Sequence, residues 1–203
     1  EQLALMMVNG MTSICLLEDF TDLQEGDWIL QNGANSSCGR YLIALARERG
    51  IKTCNIVRRK SLFDELYELG ADICVTDEDD ADTLAETVRQ ATNNDQIHIG
   101  FDLVAGNGTT RVARCLAKGG KVVNYGYISG EPCHLSFRDL FHNNITLTGM
   151  STGRGLAKRS QQEIRAAYDM LAAKISVGEL RVAIAGTYPL AQYAEAFAHA
   201  TRT

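Results

Sequence analysis

Residues 27–60 read DWILQNGANSSCGRYLIALARERGIKTCNIVRRK, and the order of elements in that stretch decides the fold. A β-rich run, Trp28 to Gln31, leads into a turn of small residues, Asn32-Gly33-Ala34-Asn35-Ser36-Ser37-Cys38-Gly39. A helix is expected from about Ser37 to Glu48. A second strand, Lys52 to Val57, then ends in the basic cluster Arg58-Arg59-Lys60. Strand, tight turn, helix and strand is how a dinucleotide-binding unit begins, with the helix aiming its N-terminal amides at a pyrophosphate. Roughly 20 residues past the turn, an NAD site places an acid for the ribose 2'-hydroxyl. Guanidinium groups at that point favour a 2'-phosphate, and so NADP over NAD.

Taken alone, the turn has two readings. Only Gly39 stands at a glycine position of the G-x-G-x-x-G pattern, with Ala34 and Ser36 at the other two. Ala34 is tolerable in a tight turn, and Ser36 can offer a hydroxyl to phosphate. The same residues also suit an ordinary strand-to-helix loop with Asn35 or Ser36 as helix N-cap. The surrounding βαβ order and the basic end of the second strand favour the cofactor reading.

The rest of the chain repeats this rhythm. A helix over Ser61 to Leu69 is stopped by Gly70 and followed by a strand, Asp72 to Val75. A helix from Asp82 to about Ala91 precedes a buried strand, Ile97 to Val104, which ends in Ala105-Gly106-Asn107-Gly108. A helix over Thr109 to Ala117, a fifth strand over Lys121 to Tyr125, a short helix near Phe137 to Phe141 and a sixth strand over Ile145 to Gly149 follow. The pattern predicts an α/β fold: a doubly wound parallel sheet of Rossmann type, strand order 3-2-1-4-5-6, with helices on both faces. Ligands of such sheets lie over the strand C-termini at the switch point. After the sixth strand, Gly149 to Gly155 could be another phosphate loop, but a flexible connection is favoured. The long helix Ser160 to Val177 carries Ile164, Ala167, Tyr168, Leu171 and Ile175 as a core face. A strand over Arg181 to Thr187 and a last helix over Ala191 to Ala200 complete one domain.

Composition excludes several classes. At 203 residues the chain can bury a substantial core, and 45% hydrophobic with 22% charged residues is ordinary for a globular protein. A net charge of -5 gives no basic field for nucleic acid. No apolar run is long enough for a membrane span, and the first residues lack a signal-peptide pattern. The chain opens on Glu1 with no initiator Met, as expected of a processed or truncated product.

Six cysteines stand singly, without a C-x-x-C pair, which suits free thiols in a reducing intracellular compartment. Cys38 would lie at a helix N-terminus where thiolates are favoured, though a packing role is the expectation. Neither His98, His134, His142 and His199 nor the cysteines show zinc-ligand spacing, so no metal is expected. The acid run Asp77 to Asp82, DEDDAD, could hold a divalent ion, but reads more simply as a solvated helix start.

Several segments together resemble the nucleotide-binding half of the medium-chain dehydrogenase/reductase superfamily: EQLALMMVNGMTSICLLEDF, GDWILQNGANSSCG, NIVRRK, ELGAD, LAKGGKVVNYGYISG and PLAQYAEAFAHA. The likeness is to mitochondrial-type trans-2-enoyl-thioester reductases, and across the turn and fifth strand equally to NADPH-dependent quinone reductases. It implies NADP(H) as cofactor. Asn32, Asn35, Ser36, Cys38 and Gly39 would then line the pyrophosphate turn, and Arg58, Arg59 and Lys60 the adenosine phosphate. Tyr125, Gly126, Tyr127 and Ile128 would pass beside the nicotinamide, with Met150 and Ser151 near it, and Thr12 would help floor its pocket.

The resemblance also implies a small-molecule substrate, an enoyl thioester or a quinone, reduced by hydride transfer. The proton donor would lie on a substrate domain outside this chain, so residues 1–203 would be a cofactor domain lacking that domain and a C-terminal return segment. No catalytic residue is assigned here. Met150-Ser151-Thr152 stands where such reductases usually carry aromatics, and Ser13-Ile14 replaces their Ala-Tyr pair. A homodimer through residues 144–149 and a mitochondrial matrix location are expected, with cytoplasm as the alternative. An NADPH-binding sensor or structural protein without catalysis is a reading of a different class.

Overall fold

In the computed structural model, which describes residues 2–201, the sheet has six parallel strands in the order 3-2-1-4-5-6. These are β1 (Trp28–Asn32), β2 (Lys52–Val57), β3 (Ile73–Thr76), β4 (Ile99–Asp102), β5 (Lys121–Asn124) and β6 (Thr146–Gly149). Order reverses between β1 and β4, so their C-terminal ends open the crevice where such folds bind ligands. The central strands are buried on both faces, as parallel strands under helices must be.

One face of the sheet carries α1 (Met11–Glu18), α2 (Ser37–Glu48) and α7 (Gln161–Ser176). Met11, Ile14, Leu16, Leu42, Leu45 and Leu171 meet there with Ile29 and Phe101. The other carries α4 (Ala81–Ala91) and α5 (Asn107–Cys115), whose Leu84, Val88 and Val112 pack on Leu30, Ile56 and Val122. Between β2 and β3 lies α3 (Phe63–Leu69), stopped by Gly70 at φ 103°, a left-handed stop that favours glycine. Two further helices, α6 (Thr152–Ala157) and α8 (Tyr193–Ala200), lie beyond the sheet.

The structure departs from the sequence reading in several places. The α1 helix carries no amphipathic signal because Met11 through Leu17 are all buried, and a helix buried all round shows no stripe. The expected strand Ile97 to Val104 shrinks to β4, because Val104 and Ala105 turn back to donate to the Asp102 carboxylate, with Ala105 at φ 64°. Residues 152–157 of the expected flexible connection form α6, capped by Ser151, whose hydroxyl accepts from the Arg154 amide. Gly155 lies in that helix, buried against Cys15 and Asp19. No strand forms over Arg181 to Thr187. Val182 instead exchanges hydrogen bonds with the Gln2 side chain, which uses the backbone groups a strand partner would need. Smaller shifts move the α5 start to Asn107 and turn residues 138–142 into a π-helical turn.

Candidate cofactor site

The turn after β1 is built around close backbone approach. A Cβ on Gly39 would lie 2.5 Å from the Ala34 carbonyl oxygen, so only glycine fits. The Ser36 hydroxyl accepts from the Gly39 amide at 3.0 Å and caps α2, fixing the helix start over the crevice. Arg40 tightens the loop further: its Nε donates to the Asn35 carbonyl at 2.9 Å and its Nη1 pairs with Glu65 on α3 at 2.6 Å. The guanidinium draws the Glu65 carboxyl below its usual range. Gln31, buried beneath the turn, donates to the Gly39 carbonyl and to Asn55 on β2.

Beneath the crevice sits a buried carboxylate that sequence reading missed. Asp102 accepts from Asn32 Nδ2 (2.7 Å), the amides of Val104 and Ala105 (3.0 and 3.1 Å), Thr109 Oγ1 (2.6 Å) and Asn124 Nδ2 (3.1 Å). The ends of β1, β4 and β5 are thereby joined through one side chain. Asn32 also accepts from the Leu103 amide at 2.7 Å, so its side chain is committed inward on both sides rather than lining the turn toward a pyrophosphate. One signal was available: an acid inside the apolar run IHIGFDLV must be paired if buried.

At the end of β5 the crevice closes into a cavity of about 400 Å³, lined by Val8, Asn9, Thr12, Ser36, Cys38, Leu103, Tyr125, Met150, Ser151 and Thr152. Six residues proposed from sequence meet here from four segments: Thr12, Ser36, Cys38, Tyr125, Met150 and Ser151. Thr12 and Thr152 hydroxyls lie 2.9 Å apart across it. Gly126 lets the following loop pass against Leu103, whose carbonyl oxygen would lie 2.5 Å from an added Cβ. Tyr127 and Ile128 are exposed on that loop, outside the cavity. Burial pushes the Cys38 thiol up to about 12, despite its place at a helix start, so it packs as a thiol against Ser13. Burial also pushes the Tyr125 phenol well above its usual range.

The end of β2 is open and charged. Arg58, Arg59 and Lys60 are exposed, with no ion pair to any of the described residues. Asp77, whose amide bonds the Val57 carbonyl at 2.8 Å, is the acid set beside them. Arg111 on α5 holds that carboxylate with two bonds of 2.9 Å. The acid run is the largely exposed helix start expected from the sequence: Asp80 caps α4, and exposed Asp82 in its first turn pairs with Arg114 and Arg138.

The family described as zinc-binding dehydrogenase matches residues 38–173. The chain belongs to that family. Among the described residues no three His, Cys, Asp or Glu side chains gather in a metal-holding group, so these residues offer zinc no site despite the family's description. A mitochondrial enoyl-[acyl-carrier-protein] reductase of Dictyostelium discoideum is 33% identical over 181 residues, covering 84% of this chain and 49% of that protein. The chain spans about half the length of the curated relatives it matches. The solved complex of Etr1p with NADP and crotonyl-CoA superposes with a TM-score of 0.79 at 25% identity, covering 97% of this chain and 58% of that one. A Bacillus thuringiensis protein assigned as an NADPH:quinone reductase shares the fold, with a TM-score of 0.85 at 21% identity over 98% of this chain and 60% of that one.

Proposed function

We propose that this chain is the NADP(H)-holding half of a reductase acting on 2-enoyl thioesters. The observation that carries the reading is the alignment of three features along one sheet edge. A basic cluster with no ion pair among the described residues ends β2, a glycine-tight helix start follows β1, and a polar-rimmed cavity lies beyond β5. Their chemistry matches, in order, a 2'-phosphate, a pyrophosphate and a nicotinamide. The enoyl-thioester-reductase relatives and the NADP complex of Etr1p support that cofactor and that substrate class.

NADPH, when bound, supplies a hydride. This chain's part is to bind and orient. Arg58, Arg59 and Lys60 would hold the adenosine phosphate, and the Asn35 to Gly39 turn the pyrophosphate. Thr12, Cys38, Tyr125, Met150 and Ser151 would enclose the nicotinamide and exclude water. The Gly126 to Ile128 loop would pass beside it. The remaining length of the relatives is where a substrate domain with the proton donor belongs in this reading, so the chain alone binds NADPH and does not turn over. A mitochondrial matrix location goes with the names of the relatives.

A homodimer through β6 completes the proposal. The strand is an edge of the sheet, and its sequence TLTG carries no charge or proline to block pairing. Sedimentation of wild type and Thr146→Pro tests this: a dimer lost in the variant supports it, and monomers in both at micromolar concentration reject it.

The function is tested by assaying a protein that joins this chain to the substrate domain of an enoyl-thioester-reductase relative, with a short enoyl-CoA and a small quinone as competing acceptors of NADPH hydride. NADPH oxidation with enoyl-CoA supports the proposal. Oxidation with quinone alone rejects it in favour of a quinone reductase, and no oxidation with either rejects the enzyme reading.

A further inference from the structure

A second cavity, of about 360 Å³, lies between α6 and the end of β6. It shares Met150 and Ser151 with the cavity beyond β5, so the two spaces adjoin. Its charged lining residues are Asp19, Arg154 and Lys158. Asp19 is committed, because Arg159 donates to both of its oxygens, at 2.8 and 3.2 Å. Arg154 and Lys158 are exposed, and neither meets a carboxylate among the described residues. Arg154 donates from one Nη to the Gly149 carbonyl at 2.8 Å, which fixes its guanidinium next to Met150. The Lys158 ammonium lies 5.7 Å over the Phe20 ring.

The local fold does not call for both charges. Lys158 is the C-cap of α6, where a cation suits the helix dipole, but Arg154 stands in the first turn, where the dipole disfavours one. A spacing of four residues sets the two on one side of the helix. Two uncompensated cations in a concave surface form an anion site, and guanidinium and ammonium together suit a phosphate. The substrates named for two relatives, an acyl-carrier-protein thioester and crotonyl-CoA, carry the same arm: pantetheine ending in a phosphate.

We infer that this second cavity seats the pantetheine phosphate of the substrate, with Arg154 and Lys158 as its cations. This rests on the enoyl-thioester reading above and names the part of the substrate that this half of the enzyme holds. With the reacting double bond at the nicotinamide, the arm passes Met150 and Ser151, and its phosphate reaches the Arg154 and Lys158 pair. The small side chains of Ser151 and Thr152, where such reductases usually carry aromatics, leave that passage open. A quinone has no such phosphate, so the pair favours thioesters over quinones.

The test is calorimetric titration of the 203-residue chain, saturated with NADP+ so that its adenosine site is filled, with 4'-phosphopantetheine and with pantetheine. Wild type should bind phosphopantetheine about tenfold more tightly than pantetheine, on the scale of charge-assisted contacts to one phosphate. Arg154→Gln/Lys158→Gln should lose that difference, with NADP+ affinity and urea stability unchanged. Added salt should weaken phosphopantetheine binding to wild type and spare pantetheine, a readout that needs no variant. Equal affinity for the two ligands, binding of neither, or a variant that still discriminates them overturns the inference. Coenzyme A and a phosphopantetheinylated carrier protein, titrated in the same way, distinguish the two sources of the phosphate. The one that loses at least fivefold in the variant is the carrier served, and loss for neither overturns the inference. Failure here alongside enoyl-CoA turnover in the acceptor assay removes the phosphate site alone, whereas failure in both rejects the thioester reading as well.

Discussion

The two ends of the crevice are built on opposite principles. At the end of β2, Arg58, Arg59 and Lys60 stand in sequence, exposed and unpaired among the described residues, and they owe little to the rest of the fold. At the end of β5, the cavity draws on residues 8 to 152 and is shaped by a buried network centred on Asp102. In the proposed reading, charge in water selects at the first end, and shape with buried hydrogen bonds selects at the second. Damage to the first should therefore change which cofactor binds, whereas damage to the second should change whether the protein holds together.

The largest effect is expected from Asp102→Ala. It strips the acceptor from Asn32, Thr109 and the Val104 and Ala105 amides. Each buried donor left unpaired costs about 1 to 3 kcal/mol, so urea unfolding should show a loss of at least about 3 kcal/mol. A loss below about 1 kcal/mol would mean that the network does not hold the closed end.

Arg58→Ala/Arg59→Ala tests the open end. Two charge-assisted contacts to a phosphate are each worth about 1.5 to 3 kcal/mol. NADPH affinity should fall at least tenfold with NADH nearly unaffected and urea stability unchanged. Equal losses for both cofactors would remove the phosphate assignment.

A smaller effect should follow from Arg111→Ala. Asp77 sits beside the basic cluster and is neutralised by its bidentate pairing with Arg111. Freed, the carboxylate should repel the 2'-phosphate and pair with the nearby arginines, lowering NADPH affinity about threefold to fivefold, on the scale of ~1 kcal/mol for a partly exposed charge. Arg111→Ala/Asp77→Asn should restore it. No rescue in titrations of the double variant would show that Arg111 acts through packing instead.

The smallest effect at neutral pH concerns Cys38. Its thiol, pushed up to about 12 by burial, should resist alkylation in the folded protein at pH 8. Because the folded value is raised, the contribution to stability is fully present below the ordinary thiol value near 9 and lost as pH rises toward 12. Cys38→Ala should flatten that alkaline decline in urea unfolding measured from pH 8 to 11. An unchanged slope would place the decline on other groups, such as Cys115, also pushed up to about 12 by burial.

The same contrast explains what was legible in the sequence. The sheet order follows from strands and helices alternating with local signals: Gly70 as a left-handed stop, Ser160 as the cap of α7, and the small-residue turn before α2. Arg58 to Lys60 were readable because three cations at a strand end need no tertiary context. The closed end was readable only through family resemblance, because Thr12, Cys38, Tyr125 and Met150 have no common spacing and meet only in three dimensions. Asp102, Gln31 and Arg40 escaped notice because their work is done on partners far along the chain. The strand expected at Arg181 to Thr187 failed for a related reason. Its apolar alternation is genuine, but the Gln2 side chain, about 180 residues away, meets its backbone groups.

The most direct test of the account is a calorimetric titration of the purified 203-residue chain with NADPH and NADH at the same ionic strength. Saturable binding of NADPH, at least tenfold tighter than NADH, is the predicted result. Equal affinity for the two, or binding of neither, would contradict the claim that this sheet edge is built to hold NADPH by its 2'-phosphate.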